Sequence, residues 1–171
     1  VILLAAMAAC VPLIFRYFAS LDGPVHVFQA AVLEQDWTTP RYVAEGIAYR
    51  TDRIEVRTGD LLLMALLHVF APETCHALFA AVVLFLLPVA VLAVVNAFGA
   101  NTGWSALWSI PIAFGSMLVL GFLHFLLGTA LALLAAAYWL HQERIAWRRS
   151  FVFAAAFAVM YIPPRSAALV F

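Results

Sequence analysis

Apolar and polar positions divide this chain into a series of apolar runs and one long polar stretch. Residues 1–18, "VILLAAMAACVPLIFRYF", predict a first membrane-crossing helix, for which about 20 apolar residues are needed. Residues 19–60 are polar and hold Asp22, Glu34, Asp36, Glu45, Asp52, Glu55 and Asp60 with Arg41, Arg50, Arg53 and Arg57. Pro24 fits the first turn of a helix running to about Asp36, because a proline there gives up no helical hydrogen bond. "DWTTP" ends that helix. "RYVAEGIAYRTDRIEV" predicts a second short helix, or a helix followed by extended chain. Residues 61–71 are apolar but too few to span; they could span only by reaching back into "RTGD", and otherwise form a tilted or re-entrant piece. Residues 76–98 predict a full crossing, with Pro88 as its kink.

Residues 104–140 stay apolar for 37 positions. As one straight helix they would measure about 55 Å, against a hydrocarbon core of ~30 Å. The run must therefore break, and Pro111, Gly115, Ser116 and Gly121 mark the places. The expected products are a short or re-entrant helix over 104–117 and a full helix over 119–140. "HQERIAWRR" forms a loop over 141–150, and 151–171 starts a further span that "YIPPR" interrupts. The pattern predicts an all-α, polytopic integral membrane helical bundle, a single transmembrane domain with short amphipathic helices in its first outer loop.

Composition sharpens this reading. Apolar residues make up 67% of the chain and charged residues 11%, against roughly 45–50% and about 25% in a soluble domain. The formal net charge is zero and every basic residue is an arginine, which gives no footprint for nucleic acid. Arg144, Arg148 and Arg149 place 141–150 on the cytoplasmic side. If the chain starts inside, the 19–60 loop faces outward. That geometry predicts an integral protein of a bacterial inner membrane, with the lipid bilayer as its first partner. The chain begins at Val1 and stops at Phe171 inside an apolar run, which reads as a segment of a longer membrane protein.

Candidate chemistry gathers at "SLDGPVHVFQA". On a helix, Asp22, His26, Gln29 and Asp36 fall in one arc, with Val25, Phe28, Ala31 and Val32 opposite. Asp22 and His26 lie one turn apart and can meet. Two roles fit Asp22: a helix cap, and a carboxylate that activates a hydroxyl. His124 lies on a stripe with Gly121, Gly128, Ala132 and Ala135, a small-residue pattern that predicts close helix packing. An interhelical hydrogen bond or a ligand contact would each suit a histidine there. Arg50, Arg53 and Arg57 suit either a phosphate at the membrane surface or ion pairs with Asp52 and Glu55. His68, Cys75 and His76 match no zinc spacing, because Pro72 separates them. Cys10 and Cys75 read as buried thiols rather than a disulfide. No metal set and no cofactor emerges from spacing.

The order of these features resembles the N-terminal part of the GT-C superfamily of membrane glycosyltransferases: an apolar helix, an outward loop opening "LDGPVHVFQA", then "LLLMALLHVFAPE", a long helix and "GFLHFLLGTALALLAAAYWL". The resemblance implies transfer of a sugar from a polyprenyl-phosphate-linked donor on the extracytoplasmic face. It also implies that Asp22, the first acid outside the first helix, acts as catalytic acid/base or binds a metal. His26 would be its companion, and Arg50, Arg53, Arg57 and His124 would contact substrate. In this chain "DGPVH" and "GFLHF" carry the resemblance; the paired acids common in the superfamily are absent at Asp22. The alternatives are a transporter or channel built on His124 and the broken helices around Pro111, or a non-catalytic membrane subunit.

Overall fold

The computed structural model describes residues 1–15, 20–38, 58–99, 103–141 and 151. The described residues are helical and contain no strand. Among the described residues seven α-helices follow in order: α1 Ile2–Ile14, α2 Gly23–Thr38, α3 Thr58–Leu67, α4 Pro72–Ala97, α5 Ser109–Ala113, α6 Ser116–Leu120 and α7 Leu123–Leu140. A 3-10 segment, Gly103–Trp108, leads into α5. The second loop helix expected over 41–56, residues 142–150 and the span after Phe151 lie outside the described residues.

Two helices, α4 and α7, are long and apolar enough to cross a membrane. At 1.5 Å per residue they measure about 39 and 27 Å. The 13 residues of α1 and 10 of α3 reach only about 20 and 15 Å. α3 does begin back in "RTGD", at Thr58, but it remains too short to cross.

The 104–140 run breaks, though not at every expected place. Pro111 sits inside α5, where a proline in a first turn displaces no helical hydrogen bond. The breaks fall at Phe114–Gly115 and at Gly121–Phe122, so the long helix starts at Leu123 and not at 119. Gly121 has a φ of +88°, a left-handed conformation that side chains with a Cβ resist.

α4 is the centre of the molecule and packs most extensively against α7 and α1. Cys75, Phe79, Ala80, Val83, Leu84, Leu87 and Ala90 form its buried face. Leu123, Leu126, Leu127 and Ala130 of α7 complete the core with Val27, Ala30 and Leu33 of α2 and Leu63 of α3. This revises the expected faces of two helices. On α2, Val25 and Phe28 of the expected apolar face are 50% and 53% exposed, whereas Val32 of that face is buried together with Gly23, Val27, Ala30 and Leu33. On α7, the leucine stripe faces the core, whereas a Cβ added at Gly128 would meet nothing within 4 Å. The small-residue stripe is therefore not a packing seam at that point.

Candidate functional site

Short helices bring polar side chains together beside the start of α7. Asp60 is the third residue of α3, where an acid suits the positive end of the helix dipole. His124 is the second residue of α7. Asp60 and His124 are buried, at 4% and 9% exposure. His124 Nε2 and Asp60 Oδ1 lie 2.8 Å apart. A carboxylate only accepts, so the ring N–H donates and sets the tautomer that leaves Nδ1 as the bare nitrogen. That Nδ1 is buried and has no hydrogen-bond partner among the described residues; Thr58 Oγ1 shares both properties.

His26 of α2 joins this pair. Its ring centroid lies 4.2 Å from that of His124, with the planes tilted by 54°. Phe79 of α4 closes another side with its ring edge-on to His124, at 5.2 Å and 62°. Gly59 makes the approach of α3 to α7 possible: a Cβ there would lie 2.5 Å from His124 Cδ2 and 2.9 Å from Phe79 Cζ. Three helices thus supply His26, Asp60 and His124, whose donor atoms all fall within 4.8 Å of one another.

Asp22 is held next to this cluster by the backbone. Leu21 N–H donates to Val119 O at 2.9 Å and Asp22 N–H to Leu120 O at 3.2 Å. These bonds satisfy carbonyls at the end of α6 that have no helical partner. Gly121 allows this docking, since a Cβ there would lie 2.6 Å from Asp22 N. His26 N–H donates to Asp22 O at 3.2 Å. The expected meeting of Asp22 and His26 is thus made through the backbone, and the imidazole lies against His124. Ser20 Oγ and His76 Nε2, 2.9 Å apart, tie the start of this loop to α4.

An open-sided groove of about 500 Å³ runs beside the cluster. Thr58, Gly59 and His124 line one end, and Gly128, Ala132 and Leu133 continue it along α7. Ten α7 residues from His124 to Leu133 advance about 14 Å along the helix axis. The groove is mostly apolar, and the two unpartnered polar atoms belong to residues at its His124 end.

Sequence reasoning placed Asp22, His26 and His124 in one site but missed Asp60, which it counted among the loop acids. The available signal was its place just ahead of "LLLMALL", in the first turn of a helix. It also saw no metal-ligating set, because His26, Asp60 and His124 are too far apart in the chain for any spacing rule. Arg50, Arg53 and Arg57 lie outside the described residues. Of the set His68, Cys75 and His76, Cys75 is a buried thiol outside any disulfide whose S–H donates to Phe70 O at 3.4 Å, and His76 pairs with Ser20. Cys10 is also free, but exposed. No protein-family model, curated protein or solved structure matches this chain.

Proposed function

We propose that this chain is part of a polytopic membrane glycosyltransferase of the GT-C type, acting on a sugar carried by a polyprenyl phosphate at the extracytoplasmic face. The observation that carries the reading is an apolar groove with buried His124 at one end, together with Asp22 docked by its backbone onto the end of α6. A lipid-linked donor needs that combination: an apolar track for its chain and polar groups where its phosphate and sugar emerge. Exposed large apolar side chains, including Leu3, Trp104, Trp108, Ile112 and Phe125, are compatible with a lipid setting.

In this reaction Asp22 takes the proton of an acceptor hydroxyl. The acceptor oxygen bonds to C1 of the sugar as the bond from C1 to the phosphate oxygen breaks, and polyprenyl phosphate leaves with the electron pair. Arg50, Arg53 and Arg57, in the same loop, neutralise the phosphate. A phosphate is already a good leaving group, so strong acid assistance is unnecessary. Two backbone hydrogen bonds to the end of α6 hold the Asp22 backbone in place.

The test is transfer by the full-length protein in membranes, with a labelled polyprenyl-phosphate sugar as donor. Asp22→Asn should lower the rate at least 100-fold, in line with loss of a general base, with membrane insertion unchanged. Wild-type-like transfer in that variant would sink the assignment. One observation favours a transport reading instead. Asp60 and His124 are a buried ionisable pair on two helices, and such pairs mark ion pathways when they lie within a membrane. Ion or proton flux in proteoliposomes that is lost in Asp60→Asn and kept in Asp22→Asn would favour transport.

A further inference from the structure

We infer that His26, Asp60 and His124 bind a divalent first-row transition ion, with zinc as the reference case. Their donor atoms lie within 4.8 Å of one another. A tetrahedral zinc site with bonds of about 2.0–2.2 Å has edges of ~3.3 Å. The Nε2–Oδ1 pair, at 2.8 Å, opens by about half an ångström to reach that edge, and the ion replaces the proton between the two atoms. The remaining closure, of about 1.5 Å at most, falls to His26, the half-buried member of the set.

Two features distinguish the cluster from a simple interhelical hydrogen bond. A structural Asp–His pair needs no second imidazole, yet His26 lies against His124. Phe79 walls His124 on its edge, and an apolar wall of this kind restricts water around a bound ion. The donor chemistry is selective. Two imidazoles and one carboxylate suit zinc, iron or manganese better than calcium or magnesium, which favour all-oxygen shells. Three protein ligands leave a fourth position open for an exogenous oxygen, the arrangement of reactive rather than purely structural zinc sites.

The ion site shares the buried cluster with the transferase reading but uses neither Asp22 nor the arginines, so its test can fail separately. The experiment is metal analysis of the full-length protein, purified in detergent with its affinity tag removed, then loaded with Zn²⁺ and desalted. About one zinc per chain is expected in the wild type. His26→Gln should lower retention at least tenfold, in line with loss of one ligand of three, and Asp60→Ala should abolish it. Loading with Co²⁺ should give the visible absorption of a low-coordinate ion in the wild type and not in His26→Gln. His26 is half-buried, so its variant is the one expected to stay folded, as unchanged thermal unfolding of the unloaded protein would show. Asp22→Asn should keep its zinc. A wild type that retains no transition ion, or a His26→Gln protein that retains as much as the wild type, would overturn the proposal. Zinc retained by a protein with no transferase activity would count against the transferase reading alone.

Discussion

Along α7, neighbouring stripes meet two different surroundings. Leu123, Leu126, Leu127 and Ala130 press against α4 and the core, where Phe79, Leu84 and Leu87 are buried. His124, Gly128 and Ala132 line a groove whose polar end meets α3. The first region is held by large apolar side chains in contact. The second is held by close backbone approach at Gly59 and Gly121, by two backbone bonds to the end of α6, and by one buried polar pair. The contrast separates stability from chemistry. Apolar packing is broad and tolerant of position, whereas the cluster depends on a few atoms being within hydrogen-bonding reach.

The sharpest way to break the comparison is to damage each region alone. Leu84 is fully buried in the α4 face. Leu84→Ala should cost about 2–5 kcal/mol, the range for a buried leucine cut to alanine, read as a lowered unfolding temperature of the full-length protein in detergent. The folded fraction should still bind zinc with wild-type stoichiometry. Gly121→Ala should reverse that pattern. The left-handed φ and the approach to Asp22 N cost about 1–3 kcal/mol, a smaller loss, but they shift the loop that places Asp22. Transfer activity should then fall far more than stability does. A Gly121→Ala protein with full activity would show that the α6–loop junction does not position Asp22.

Much of this division is written in the chain, and some of it is not. The 26 apolar-dominated residues of α4 are legible as a helix long and apolar enough to cross a membrane, and the 104–140 run breaks at Gly115 and Gly121 while Gly128 stays inside α7. The faces were harder to assign. On α7 the leucine stripe and the glycine–alanine stripe are adjacent, and helical periodicity alone does not say which one meets α4. Small residues suggested a seam; the buried leucines make it. Asp60 was hidden for a related reason. Its partner is 64 residues away, and nothing local marks an acid at a helix start as half of a buried pair.

α2 offers the finest test of how faces are chosen, because the same chemical change can be made two residues apart. The sequence pattern groups Val25 with Phe28, Ala31 and Val32 on the apolar side of the helix. The structure buries Val27 at 5% exposure and leaves Val25 at 50%. The reason is size and register: Gly23, Val27 and Ala30 follow one another at four- and three-residue steps, giving α2 a small-sided stripe that approaches the core. Val27→Ser places a hydroxyl and a small void in that contact, which costs about 1–2 kcal/mol. Val25→Ser removes the same atoms from an exposed position, where changes stay within about 0.5 kcal/mol. Because the exchange is identical, differences in helix propensity or in detergent binding largely cancel between the variants. Thermal unfolding of the two full-length proteins should therefore show Val27→Ser melting well below Val25→Ser. The opposite order would mean that α2 presents its more polar-patterned face as drawn from the sequence, and that His26 turns away from His124 with it. Zinc retention would then fall along with the cluster, so this small stability difference also bears on the geometry of the site.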